Sequence, residues 1–231
     1  WGVVNAIRHV LGRDYDAWLN DILGATGCSS GCFTVLILIL NLSVEEIAPF
    51  VEQTDPSWVM DTLHPKSILD RLGVVPQGRI EEFVIKLLHA GGLSSAITLQ
   101  GLYNFTRKRC YFVCTNVNRQ CTEYMGHETH PHVRVVDAIC ASCSVPFLFQ
   151  PVRINNDYMV DGCLCVWMPH QFPAHETLFV HMSFDNQNID GPMTLKRYVT
   201  SVFRLVTSAT HNLDDIRNEN GNILCIDEKR N

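Results

Sequence analysis

The segment Gly27-Cys28-Ser29-Ser30-Gly31 constrains the fold of this chain more than any other. It stands between two apolar stretches. Ahead of it, Asp21-Ile22-Leu23-Gly24-Ala25-Thr26 reads as a short buried strand ending in small residues. Behind it, Cys32 to Leu40 is apolar all round, which suits a helix enclosed at the centre of a domain. A strand that passes into a helix within a few residues must bend sharply. Gly-x-Ser-x-Gly is the pattern of such a bend, with the serine hydroxyl projected from a strained backbone. Glycines at 27 and 31 are expected to remove Cβ atoms that would collide with neighbouring elements. The helix behind the bend points its positive end at the reacting centre, where negative charge develops. Ser29 is therefore the candidate nucleophile, and Gly27, Cys28, Ser30 and Gly31 complete a nucleophile elbow.

The rest of the chain alternates between strand and helix signals. Val3, Val4, Ile7, Val10 and Leu11 recur at helical spacing, and Gly12 stops that helix. Ser43-Val44-Glu45-Glu46 has the spacing of a capping box and opens a helix near Val44. Residues 55 to 78 read as loop with short helical pieces, and Arg79 to Ala90 as an amphipathic helix ended by Gly91-Gly92. Thr98 to Phe105 is a short helix candidate, and Cys110 to Thr115 is rich in strand formers. Residues 119 to 132, polar and rich in histidine, read as loop. Val135 to Ala141 predicts a helix limited by Pro146, and Tyr158-Met159-Val160 a strand running into Asp161-Gly162. Leu178 to Met182 and Ile223 to Ile226 read as strands, with a long helix over Leu195 to Ala209 between them. This order implies α/β, a mostly parallel central sheet flanked by helices. No linker divides the chain, so a single domain over 1–231 is expected.

A serine hydroxyl is a poor nucleophile without a base. Asp161, at the end of a predicted strand with Gly162 behind it, sits where α/β folds place their sites. A free aspartate has a pKa of about 3.9, so a base working near neutrality must be partly desolvated. The charge balance narrows the partners. Eighteen Lys and Arg against 24 Asp and Glu leave −6, a poor match for sequence-blind nucleic-acid binding. The longest apolar run, Phe33 to Leu40, is far short of the roughly 20 residues that span a bilayer, so no transmembrane segment is expected. The ten cysteines fall mostly in apolar or motif segments, which suits thiols in a reducing, intracellular compartment. No signal peptide opens the sequence, which begins with Trp1 rather than Met.

Taken with their neighbours, these segments resemble the patatin-like phospholipases, serine lipid acyl hydrolases. Asp21 to Leu42 resembles the family's strand, Gly-x-Ser-x-Gly turn and buried helix, and Ser43 to Phe50 the short helix after it. Ile97 to Asn116 is similar to its Thr-Leu-x-x-Leu-Tyr segment and next strand. Asp137-Ala138-Ile139 through Pro146, with Phe149 to Val152, resembles its Ala-Ser-x-x-x-Pro stretch and Pro-Val successor. Tyr158 to Pro169 resembles its Asp-Gly-Gly or Asp-Gly-Ala segment, with Cys163 in place of the second small residue and Trp167-Met168 where an Asn is usual. The resemblance implies a patatin-like three-layer architecture and a Ser29–Asp161 dyad that needs no metal or cofactor. It also implies a glycerolipid or membrane-surface substrate, and a protein that is cytoplasmic or peripheral to a membrane. The family's first strand and glycine-rich oxyanion loop would lie ahead of Trp1 and are expected to be missing here.

Three other readings stand beside this one. A Ser-His-Asp esterase would use the same bend, with Ser29, Asp161 and one of His175, His181 or His211. A lipid-binding protein of the same fold would lack turnover. His127, His130 and His132, with Cys110 and Cys114 or Cys140 and Cys143, offer zinc-ligand chemistry, although a solvated loop accounts for the histidines. Ser30, Ser142 and Ser144 are expected to be structural.

Overall fold

In a computed structural model, the described residues are 2–52, 72–75, 78–164, 172, 177–184, 201 and 222–228. They divide into two compact units, Trp1–Cys163 and Leu164–Asn231. The first unit runs α1 (Gly2–Leu11), α2 (Tyr15–Asp21), β1 (Gly24–Cys28), α3 (Gly31–Ile39) and α4 (Val44–Glu52). It continues through β2 (Gly73–Val75), α5 (Gly78–Ala90), α6 (Leu99–Thr106), β3 (Arg109–Asn116) and β4 (Cys121–Met125). It closes with α7 (Val135–Ser142), β5 (Phe147–Phe149), β6 (Val152–Ile154) and β7 (Asp157–Asp161).

Local chemistry explains the boundaries. At the start of α4, Ser43 N donates to Glu46 Oε2 at 2.7 Å and Glu46 N to Ser43 Oγ at 3.3 Å. That reciprocal pair is the capping box, and it satisfies donors the helix cannot. Thr98 caps α6 by accepting from Gly101 N at 3.1 Å, and Arg107 ends it in a left-handed turn, φ 59. In α3, Cys32, Val35, Leu36, Ile37 and Ile39 are all buried, so this helix has no solvent stripe.

β3 is the centre of the sheet. Phe112, Val113 and Cys114 are fully buried, and consecutive strand residues face opposite sides, so both faces of the sheet are covered there. A strand has two edges. β4 pairs antiparallel with β3 over Phe112–Asn116 and takes one of them. β1 lies parallel along Arg109–Val113, and β7 lies antiparallel along Cys114–Asn116. Both therefore share the remaining edge, end to end. Cys28 at the tip of β1 is registered with Val113, and Asp161 at the tip of β7 with Cys114. The C-terminal ends of the two strands meet one residue apart along β3. β6 continues the sheet beyond β7.

The α/β class with a central sheet flanked by helices stands. Its pairing is mixed rather than mostly parallel: among the described residues of the central sheet, β1–β3 is parallel and β3–β4, β3–β7 and β6–β7 are antiparallel, while β2 and β5 form a separate parallel pair. Part of the expected loop over 119 to 132 is strand β4, whose mixed polarity reflects a half-exposed outer strand. β1 begins at Gly24, three residues later than Asp21, because α2 extends through that residue. The three-residue strands β2, β5 and β6 carry too little pattern to be read from sequence.

The second unit contains β8 (Leu178–Phe184) and β9 (Asn222–Glu228), parallel and in register from Leu178↔Asn222 to Phe184↔Glu228. Both were expected as strands. Of the helix expected over 195 to 209, only residue 201 is described, and it is helical. His175 and His211 lie outside the described residues; His181 falls in β8. No helix among the described residues is long and apolar enough to cross a membrane.

Candidate active site

β1 gives way to α3 across two residues, Ser29 and Ser30. Ser29 takes a left-handed backbone, φ 52, which costs a non-glycine residue energy and persists only where surroundings enforce it. Cys32 N donates to Ser29 O at 3.0 Å and Phe33 N to Ser30 O at 3.2 Å, closing the bend into the helix. Ser29 N donates to Ser142 Oγ at 3.0 Å, and Ser142 Oγ in turn donates to Val113 O. Cys143 Sγ reaches Ser29 O at 3.2 Å. The end of α7 thus grips both backbone polar groups of Ser29. Ser142 and Ser144 are buried and structural as expected; Ser144 Oγ donates to Cys140 O at 2.6 Å.

The two glycines of the motif differ. A Cβ on Gly27 would lie 2.8 Å from backbone atoms of Gly31 and Cys32, so strand and helix approach too closely for any side chain. A Cβ on Gly31 would meet nothing within 4 Å, which corrects the expectation that both glycines relieve collisions. Gly27→Ala should therefore destabilise the chain by about 1–3 kcal/mol, the usual range for overpacking. Gly31→Ala should be neutral or stabilising by up to about 1 kcal/mol, as alanine is the better helix former. Urea unfolding of the two variants measures this. Equal losses at both positions would refute the close approach at Gly27.

Asp161 is fully buried. Its backbone is held by Asp161 N donating to Ser144 O at 2.8 Å and Thr115 Oγ1 donating to Asp161 O at 3.0 Å. Its Oδ1 accepts from Cys163 N at 2.9 Å and faces Cys28 Sγ at 3.9 Å. Its Oδ2 is buried and has no hydrogen-bond partner. Among the described residues no ion pair reaches it. Burial raises its carboxyl pKa above the ordinary aspartate value; donors on Cys163, Ser29 and Cys28 pull the other way. At Gly162 the backbone presses against β3: a Cβ there would lie 2.5 Å from Val113 O.

The structure therefore brings together Ser29, Asp161 and the flanking Gly27, Cys28, Ser30, Gly31 and Gly162. It does not gather the three loop histidines into a ligand set. His127 stacks on Tyr103 with ring centroids 3.8 Å apart. Sequence reasoning missed the pairing of Cys28 with Cys163, whose sulfurs are 3.7 Å apart beside Asp161. The signal was present, since Cys28 directly precedes Ser29 within its motif and Cys163 directly follows Asp161-Gly162. Hydrogen bonding to Cys163, then burial, holds the Cys28 thiol well above its ordinary pKa. A cleft of about 490 Å³ lined by Asn20, Leu23, Lys108 and Arg109 lies at the opposite, N-terminal ends of β1 and β3 and holds neither candidate residue.

Residues 1–169 match the family model described as Patatin-like phospholipase. The chain is 22% identical over 217 residues to an uncharacterized protein of Acanthamoeba polyphaga mimivirus, covering 90% of this chain and 70% of that protein. It is 21% identical over 174 residues to a protein of Invertebrate iridescent virus 6 named probable lipid hydrolase, covering 74% of this chain and 59% of that protein. The structure of VipD from Legionella pneumophila is similar, with TM-score 0.53 at 14% identity, over 97% of this chain and 59% of that one. The chain thus spans 59% of the length of both the named lipid hydrolase and VipD.

Proposed function

Because the chain belongs to the patatin-like phospholipase family, we propose that it is a serine lipid acyl hydrolase cleaving fatty-acyl esters of glycerolipids through a Ser29–Asp161 dyad. The viral relative named as a lipid hydrolase supports hydrolysis of lipid esters in general. What carries the finer reading is a left-handed serine at a strand-to-helix bend beside a buried carboxyl that has one oxygen without a partner.

Asp161 takes the hydroxyl proton as Ser29 Oγ attacks the ester carbonyl carbon. The carbonyl oxygen becomes an oxyanion, favoured by the positive end of α3. Collapse breaks the ester bond, and the departing alcohol leaves with the proton from Asp161. Water then attacks the acyl-serine while Asp161 accepts its proton. The fatty acid departs and Ser29 recovers its hydrogen. A nucleophile elbow, with Gly27 allowing the tight approach, leaves Ser29 half-buried at the bend. The chain meets its substrate at a lipid surface.

The test combines phosphatidylcholine vesicles with a fluorophosphonate probe. Release of fatty acid, together with a probe adduct mapped by mass spectrometry to Ser29, is the expected result. An adduct on another serine would move the site, and vesicle binding with neither adduct nor release would make this a lipid-binding protein.

A further inference from the structure

We propose that Cys28, Cys163 and Asp161 form a binding site for a thiophilic divalent cation such as zinc, and that its occupancy blocks hydrolysis by engaging Asp161. The inhibitory part rests on the dyad reading; the metal site itself does not. The sulfur, sulfur and carboxylate oxygen atoms all lie within 4.8 Å of one another. Two sulfurs each about 2.3 Å from a tetrahedral zinc stand about 3.8 Å apart. Cys28 Sγ and Cys163 Sγ are 3.7 Å apart, so little sulfur movement is needed. A sulfur and a carboxylate oxygen on the same ion stand about 3.6 Å apart. Cys28 Sγ and Asp161 Oδ1 are 3.9 Å apart, which a modest widening of one ligand angle absorbs.

A second observation points the same way. Asp161 is fully buried, its Oδ2 has no partner, and among the described residues no ion pair reaches it. A buried carboxylate in that position lacks a counter-charge, and a divalent ion supplies one. Cys28 and Cys163 are only partly buried, so an ion has a route in. On binding, each thiol releases its proton to solvent and each sulfur forms one bond to the metal. Asp161 supplies the third ligand, and the fourth position stays open to water. With Oδ1 on the metal, the ion's positive charge lowers the basicity of the remaining Oδ2, so Asp161 takes a proton from Ser29 far less readily.

The experiment uses the whole chain, metal-free and kept reduced with a phosphine. Cadmium is titrated while the thiolate-to-metal absorption in the ultraviolet is followed, and zinc affinity is read by competition with a chromogenic chelator. Saturation at one equivalent is expected, with the band lost in Cys28→Ser and in Cys163→Ser and zinc affinity at least tenfold weaker in Asp161→Asn. Circular dichroism checks each fold, and Cys163→Ala replaces a serine variant that does not fold. Zinc should also suppress fluorophosphonate labelling of Ser29, with recovery on adding a chelator. Absence of one-equivalent binding, or binding unchanged in both cysteine variants, overturns the site. Binding that leaves labelling untouched overturns the inhibitory role. Binding in a chain that never reacts with the probe or releases fatty acid supports the metal site while counting against the hydrolase reading.

Discussion

Replacing Ser29 by alanine is expected to remove ester hydrolysis by about 10⁴-fold or more while leaving the fold intact. The chemical half follows from the role of Ser29 as the atom that forms the acyl bond, for which alanine has no substitute. The structural half follows from which groups of Ser29 the protein grips. Its N–H is held by Ser142 and its carbonyl by Cys32 N and Cys143 Sγ, and none of these contacts uses its hydroxyl. Alanine retains them all. It meets the same left-handed backbone penalty as serine, so the change in stability should stay within about 1 kcal/mol. The measurement is fatty-acid release alongside a thermal unfolding curve. A folded variant that keeps substantial activity would remove Ser29 from the mechanism.

Asp161→Asn is expected to lower turnover by about a hundred- to ten-thousand-fold, the usual contribution of a positioned base. It should do so without lowering the thermal midpoint at neutral pH. The reason is the direction of the Asp161 shift. Burial raises its folded pKa above the unfolded value, so between those two values the folded chain holds more protons than the unfolded one. Stability from this group is therefore greatest at low pH, falls as pH rises through that window, and levels off above the folded pKa, where a buried charge remains. Asparagine carries no charge to bury, and its oxygen still accepts from Cys163 N. Activity runs opposite to stability, because the base must be ionised. The acidic limb of kcat/KM in the parent should therefore lie above the ordinary aspartate value of about 3.9. A large drop in thermal midpoint would mean that a counter-charge compensates the buried carboxylate. Alanine at His175, His181 or His211 should retain much of the activity; a loss matching that of Asp161→Asn would favour a Ser-His-Asp triad instead.

These expectations come from two short segments whose local chemistry was readable in advance. An apolar strand, a Gly-x-Ser-x-Gly turn and an all-apolar helix leave little conformational choice, and Asp161-Gly162 after a strand pattern is nearly as restrictive. Strand pairing was much less legible. Whether β7 runs parallel or antiparallel to β3 depends on contacts between residues far apart in the chain, and no local periodicity encodes it. β4 was hidden for a different reason: Thr122, Glu123 and Tyr124 suit a half-exposed strand and a polar loop equally well. The role of Gly31 was overread because the pattern treats both glycines alike, whereas only the Gly27 backbone is pressed against its neighbour. Cys163 was noted as a departure from the family pattern, but its place beside Cys28 emerges only when the two strand tips are brought together.

That meeting of tips has a consequence for how such chains change in length. Cys28 and Asp161 are 133 residues apart along the chain, yet their separation in space is set by consecutive positions on a single strand. Residues added to the connections before or after β3 leave that gauge untouched, so the loops are free to lengthen or diverge. Deleting one residue of β3 at this point, Val113 or Cys114, would shift one tip against the other by about 3.4 Å and reverse which face its side chains occupy.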